Sequence, residues 1–267
     1  MFFTQTLAGI PLWFANLITI FLGLTVGSFL NVVIARLPKN QSIVKPPSHC
    51  PECKTAIKWY DNIPALSYLI LRGRCRACKA TISFRYVFIE LITALLFLTV
   101  KLRFGWDILL LVCDWPLISI LIAITFIDLE HRIIPDVLSL GGLVLGLATS
   151  HWVPDLGLVS SLSGAALGFG LFYGVAWLYQ WRTGKSGMGG GDVKLLAMLG
   201  AFLGPMGVLV TVLVSSVVGS VIGISWAFMS KQPNVMKVSI PYGPFLVIGG
   251  LYYYLIGNLW LRFMTLM

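Results

Sequence analysis

Apolar residues fill this chain in runs too long for the strands or amphipathic helices of a soluble core, and polar residues collect in the gaps between those runs. An α-helix rises about 1.5 Å per residue and a bilayer's hydrocarbon core is about 30 Å thick, so one crossing takes roughly 20 apolar residues. Runs of this kind predict spans near 11–35, 86–104, 108–127, 136–151, 157–181, 193–205, 207–229 and 242–262. Two of them, 136–151 and 193–205, are short for a crossing. The pattern predicts an all-α polytopic membrane protein of about eight transmembrane helices. It divides the chain into a first span at 1–35, a polar loop at 36–85 and a multi-span region at 86–267.

Composition agrees. The 267 residues are 58% hydrophobic and 11% charged, against about 25% charged residues in soluble domains. Met1 to Leu37 has no basic stretch ahead of its apolar run and no small-residue cleavage site, so it reads as a retained span. Cytoplasmic loops keep Lys and Arg, and ten of the nineteen basic residues fall in 36–85. With eight spans, Arg132, Arg182, Lys185, Lys194, Lys231 and Lys237 share that side, leaving Lys101, Arg103 and Arg262 opposite. Both termini are then expected outside the cytoplasm. The net charge of +9 follows from this topology. With no basic stripe outside the loops, a nucleic-acid partner is not expected.

The 36–85 loop holds Cys50-Pro51-Glu52-Cys53 and Cys75-Arg76-Ala77-Cys78, two C-x-x-C knuckles 21 residues apart. Each knuckle turns two thiolates toward one point, and two knuckles complete a tetrahedral shell for zinc. A closed four-cysteine shell is structural, and metal binding supplies folding energy that a polar loop lacks. Disulfides are disfavoured in a reducing cytoplasm. Cys113, inside an expected span, reads as a small buried hydrophobe.

Asp128 and Asp192 stand where apolar segments end, and ionisable groups at the edge of hydrocarbon rarely lie there without a role. Asp128 is expected at a helix C-terminus, where the macrodipole disfavours an anion. Asp192 follows the run Gly187-Met188-Gly189-Gly190-Gly191 and precedes an apolar helix that it could cap. Three consecutive glycines are more than a cap requires, and suit a backbone that approaches an extended peptide. Asp136, after Pro135, reads as a helix-start residue. The expected topology puts Asp128 and Asp192 on the same, cytoplasmic, face. Two carboxylates that meet share a proton, one serving as base toward water and the other as acid toward the leaving amine. With no G-x-S-x-G elbow and no H-E-x-x-H helix, the residues point to an aspartyl hydrolase.

Gly189-Gly190-Gly191-Asp192 matches the G-x-G-D signature of intramembrane aspartyl proteases. Further segments are Gly27-Ser28-Phe29-Leu30-Asn31 through Arg36-Leu37-Pro38, both knuckles, Tyr60-Asp61-Asn62-Ile63-Pro64, Arg72-Gly73-Arg74-Cys75, Arg85-Tyr86 and Glu90. Asp128-Leu129-Glu130, Ile134-Pro135-Asp136, Gly187 to Lys194 and Pro241-Tyr242-Gly243-Pro244 extend the list. Across nearly its whole length the chain resembles the bacterial type IV prepilin peptidases. That resemblance implies a bifunctional enzyme of the bacterial inner membrane, which cuts the short basic leader from prepilins or pseudopilins at the cytoplasmic face. It also implies that the enzyme then methylates the new N-terminal amine from S-adenosylmethionine. Carried over by motif, Asp128 and Asp192 are the catalytic pair, and Cys50, Cys53, Cys75 and Cys78 are the zinc ligands. Methylation rests on the resemblance alone, and Asp61 and Glu90 receive no role; Glu90 could pair with an arginine such as Arg85. The sequence leaves the oligomeric state open. A proton-coupled transporter is the rival reading, and it leaves the G-x-G-D run and the knuckles unexplained.

Overall fold

The computed structural model describes residues 11–105, 110–153, 156–185, 187–230 and 241–257. Their regular elements are helices, with no strand among them beyond the isolated bridges His49–Ala56 and Arg74–Thr81. The helices are α1 (Leu12–Arg36), α2 (Leu66–Ile70), α3 (Arg85–Phe104), α4 (Trp115–His131), α5 (Asp136–Thr149), α6 (Gly157–Thr183), α7 (Gly190–Ser230) and α8 (Gly243–Tyr252). Among the described residues four stretches are long and apolar enough to cross a membrane: Leu12–Lys39, Leu111–His131, Gly157–Thr183 and Gly190–Trp226. Helices α5 and α8 are apolar but shorter. The 20-residue α3 carries Glu90, Lys101 and Arg103 within its apolar sequence. The chain divides into two compact units, Met1–Ala123 and Ile124–Met267.

In the first unit α1 lies directly on α3, because Gly23 and Gly27 leave no side chain between the backbones. A Cβ on Gly23 would stand 2.5 Å from Ala94 Cα, and one on Gly27 2.6 Å from Glu90 Cα. This small-x-x-x-small pair works like the interfaces of membrane helices, where close backbone approach replaces the missing hydrophobic driving force. Asn31 adds a polar tie, donating from Nδ2 to the Tyr86 carbonyl at 3.1 Å. Farther along, Phe97 stacks on Trp115 with ring centroids 4.8 Å apart.

In the second unit α7 packs against α5, α6 and α8. The α6–α7 seam is built on Gly164, Gly168 and Gly200, where added Cβ atoms would run into the facing backbone, and Ser161 Oγ donates to the Ala201 carbonyl at 2.6 Å. Gly164 and Gly168 therefore pack within the protein. Gly219 instead faces the ring of Phe245, which a Cβ would meet at 3.3 Å. Replacing Gly164 by leucine is expected to cost about 1–3 kcal/mol or more through forced separation of the seam. A melting temperature measured in detergent would drop for Gly164→Leu and stay near wild type for Gly170→Leu, since a Cβ on Gly170 meets nothing within 4 Å.

The expected spans 193–205 and 207–229 are joined in one element. The non-helical residue inside that element is Gly204, within the first of the two runs, at φ 70° and followed by Pro205. Glycine tolerates the left-handed value and proline cannot donate to the preceding turn, so the helix breaks and resumes without a loop. The run expected at 242–262 is helical from Gly243, closes in a π turn at Tyr253–Gly257, and its last residues lie outside the described ones.

Candidate active site and metal centre

Asp128 and Asp192 both belong to the second unit. Asp128 sits one turn before the end of α4 and is 5% exposed. Its position at a helix C-terminus is compensated by another helix: the Gly243 N–H, in the first turn of α8, donates to Asp128 Oδ2 at 3.0 Å. A helix N-terminus carries free N–H groups and a positive dipole end, and both favour a carboxylate. Tyr242 holds that donor in place. Its hydroxyl is 3.0 Å from Ser215 Oγ on α7, and its ring lies against Phe172 and Phe245.

Asp192 is half-buried in the first turn of α7 and within electrostatic reach of Asp128. It is not the cap of that helix, because the helix begins two residues earlier at Gly190 and the Asp192 N–H already bonds the Gly189 carbonyl at 3.1 Å. The glycines serve close packing around the carboxylates. A Cβ on Gly191 would press on Ile134 Cβ at 2.8 Å, and one on Gly189 would lie 3.2 Å from Asp192 Oδ2. Ile134 also lies 3.2 Å from where a Gly243 Cβ would be, so one apolar side chain fills the space between the starts of α7 and α8. Asp136 opens α5, as expected, and accepts an ion pair from Lys194 at 2.6 Å.

Gly243 is the site residue that carried no role in the sequence. A Cβ there would stand 2.6 Å from Asp128 Oδ2. Gly243→Ala must displace either the carboxylate or the start of α8, and misplacement of a reacting group by about 1 Å can cost roughly 10²-fold in rate. With Asp128 in the catalytic role that the resemblance implies, peptide cleavage by this variant is expected to fall by about that factor, with helix content little changed; kinetics beside circular dichroism would check it.

In the first unit the four knuckle thiols lie within 4.8 Å of one another and could hold a metal ion. The two knuckles have the same backbone. The Lys54 N–H bonds the Cys50 carbonyl, the Lys79 N–H bonds the Cys75 carbonyl, and both lysines take left-handed φ values of 57° and 60°. Cys50 and Cys78 sulfurs are 3.8 Å apart and Cys53 and Cys75 sulfurs 4.0 Å. A tetrahedron with metal–sulfur bonds of about 2.3 Å has edges near 3.8 Å, so the cluster fits zinc. Thr55, through its hydroxyl and then its backbone, holds the Cys53 thiol down to about 6, toward the thiolate a metal requires. Cys113 is buried, as expected.

Asp61 and Glu90 hold this module together. Arg76, inside the second knuckle, grips Asp61 through Nε at 2.8 Å and Nη2 at 2.6 Å, and keeps the Asp61 carboxyl below its usual range. Glu90 accepts the Ala65 N–H at 2.7 Å and is bonded by the Ser28 side chain. These partners tie the loop to both long helices of its unit.

Residues 21–104 match the Bacterial Peptidase A24 N-terminal domain, and residues 115–224 match the Type IV leader peptidase family. A prepilin leader peptidase/N-methyltransferase from Pseudomonas aeruginosa is 42% identical over 91% of this chain and 91% of its own. The chain belongs to the type IV leader peptidase family. Proteins of the same description from Myxococcus xanthus (44% identical, 82% of this chain and 66% of the relative) and Xanthomonas campestris (39%, 89% and 90%) are also similar to it. No solved structure matches the chain. In family terms, the N-terminal domain carries the cysteine module, and the leader peptidase segment carries both aspartates.

Proposed function

We propose that this family member is a membrane-embedded aspartyl endopeptidase that removes the short basic leader of prepilins or pseudopilins and then N-methylates the exposed N-terminal residue. The observation that carries the reading is buried Asp128, held by the Gly243 N–H, within reach of Asp192. In the reaction, one carboxylate removes a proton from water as its oxygen attacks the scissile carbonyl carbon. The other, protonated, hydrogen-bonds the carbonyl oxygen and then gives its proton to the leaving amine, so the C–N bond breaks and the pair regains its single shared proton. The low-dielectric surroundings strengthen each of these interactions.

The membrane is the bacterial inner membrane, crossed about eight times if α7 counts as two spans on either side of Gly204. Residues 1–35 form the first span, 36–85 the cytoplasmic zinc module and 86–267 the peptidase region, with the carboxylates opening to the cytoplasm as the Lys and Arg distribution requires. Zinc held by Cys50, Cys53, Cys75 and Cys78 is structural, since all four positions are protein sulfurs and none is left for substrate. The methyl donor is S-adenosylmethionine.

Purified protein in liposomes is expected to shorten a model prepilin by its leader and, given S-adenosylmethionine, to add one methyl group to the new N-terminus. Movement of peptide or protons across the liposome with the prepilin left intact would favour the transporter reading instead.

A further inference from the structure

The 36–85 segment leaves aliphatic and aromatic side chains exposed that no part of its own unit covers. Leu69 is 70% exposed, Ile70 63% and Trp59 81%. Contiguous exposed apolar surface marks a contact with a partner or a membrane. The depth of α2 decides between them. Its N-cap residue Ala65 bonds Glu90, and Tyr68 meets the ring of Phe84, which in turn meets Phe88. Helix α2 therefore runs beside the first two turns of α3, at the level where α3 would enter a bilayer. Leu66, Leu69 and Ile70 on α2 are exposed, as are Phe88, Leu91 and Leu95 on α3. That surface faces lipid if α3 crosses.

At the end of α1, at the corresponding boundary, lies a cavity of about 430 Å³ lined by Arg36, Gln41, Ser42, Lys45, Pro46 and His49. Arg36 is fixed there by donating from Nη1 to the Ser42 carbonyl at 3.1 Å. No acidic side chain lines the cavity, and the whole 36–85 segment sets ten basic residues against two acidic ones. Such a segment is drawn to the anionic cytoplasmic leaflet, and a basic, polar cavity suits a phosphate.

We propose that the 36–85 segment is a phospholipid-binding module: α2 lies in the interfacial layer beside α3, and the cavity at the end of α1 takes the phosphate headgroup of an anionic phospholipid. The metal-binding knuckles are thereby held against the membrane, as amphipathic interfacial segments are, by apolar burial and attraction to anionic lipid together. The inference rests on α1 and α3 crossing the membrane and not on the peptidase reading.

The test uses the full-length protein in two arms. In the first, native mass spectrometry of detergent-purified protein follows retention of phosphatidylglycerol, phosphatidylethanolamine and inorganic phosphate. Wild type is expected to retain phosphatidylglycerol over phosphatidylethanolamine by about tenfold, the double variant Arg36→Gln/Lys45→Gln to lose that preference, and millimolar phosphate to leave the lipid in place. Equal preference in wild type and variant overturns the headgroup site, and release of the lipid by phosphate alone makes it a site for free anions. In the second arm, a photoreactive p-benzoylphenylalanine replaces Leu69, or Glu52 as control, in anionic nanodiscs. Crosslinking to lipid from position 69 and not from 52 is expected. Crosslinking from 69 to a second copy of the chain or to an added prepilin, without lipid, overturns the interfacial placement. This arm does not depend on the variant that alters the cavity.

Discussion

Asp128→Asn and Asp192→Asn are each expected to lower prepilin cleavage by about 10⁴-fold, the upper end for loss of a general acid or base. That factor corresponds to about 5 kcal/mol of transition-state stabilisation. The amide keeps the size of the carboxylate and can still accept the Gly243 N–H that Asp128 receives at 3.0 Å. Packing at α8 and Ile134 should therefore survive, and the loss should fall on rate and not on fold. Cleavage kinetics beside circular dichroism and a melting curve would separate the two. The neighbouring ion pair of Asp136 and Lys194 supplies the contrast. Both side chains are well exposed, at 58% and 34%, and exposed pairs contribute about 0–1 kcal/mol. Asp136→Asn should leave cleavage within a few-fold of wild type.

Removing the metal should have the second large effect, confined to stability. Structural zinc supplies roughly 10–16 kcal/mol of apparent binding energy to small thiolate domains, energy that is lost with the ion. The other structure of the segment between α1 and α3 is short-range: two isolated bridges, two 3-10 turns, a five-residue helix and local backbone bonds, with the Asp61–Arg76 pair and the Glu90–Ala65 bond. Chelation or Cys50→Ser is expected to abolish hydrogen-exchange protection at the knuckle amides of Cys50, Lys54, Cys75 and Lys79. The α1–α3 seam, which depends on Gly23 and Gly27 rather than on metal, should keep its protection. Unchanged protection at the knuckles after full chelation would show that the module folds without metal.

The sequence was most legible where one physical rule dominates. Runs of apolar residues marked the helices, and α1, α3, α5 and α6 begin and end within two residues of the runs 11–35, 86–104, 136–151 and 157–181. Thiolate coordination chemistry set the cysteine cluster, whose sulfurs converge as the C-x-x-C spacing required. What the sequence hid were contacts between distant segments. Nothing local to Gly243 announces that its N–H would meet a carboxylate 115 positions away. The sequence holds Gly23 with Gly27 and Gly164 with Gly168 at four-residue spacing, but which glycines face a helix backbone depends on the partner helix. Gly219 faces a phenylalanine ring instead. Gly204 was illegible for another reason. The boundary was expected at 206, between the runs 193–205 and 207–229, whereas the helix breaks at Gly204, ahead of Pro205, and resumes without a loop. Asp192, directly before an apolar helix, could have been its cap, and the glycine run spoke against that reading. The helix starts inside that run, since packing around Ile134 offsets the entropy that glycines lose in a helix.

The measurement that bears most directly on the aspartate pair compares wild type, Asp128→Asn, Asp192→Asn and the double variant on two substrates, an intact prepilin and one already freed of its leader. Mass analysis follows both leader loss and methyl transfer. Groups that act as one unit are strongly non-additive, so losing either should cost nearly as much as losing both. The account predicts that each single variant is as inactive in cleavage as the double, while all four proteins methylate the pre-cut substrate. Cleavage persisting in either single variant, or two losses that simply add in the double, would contradict a shared-proton dyad.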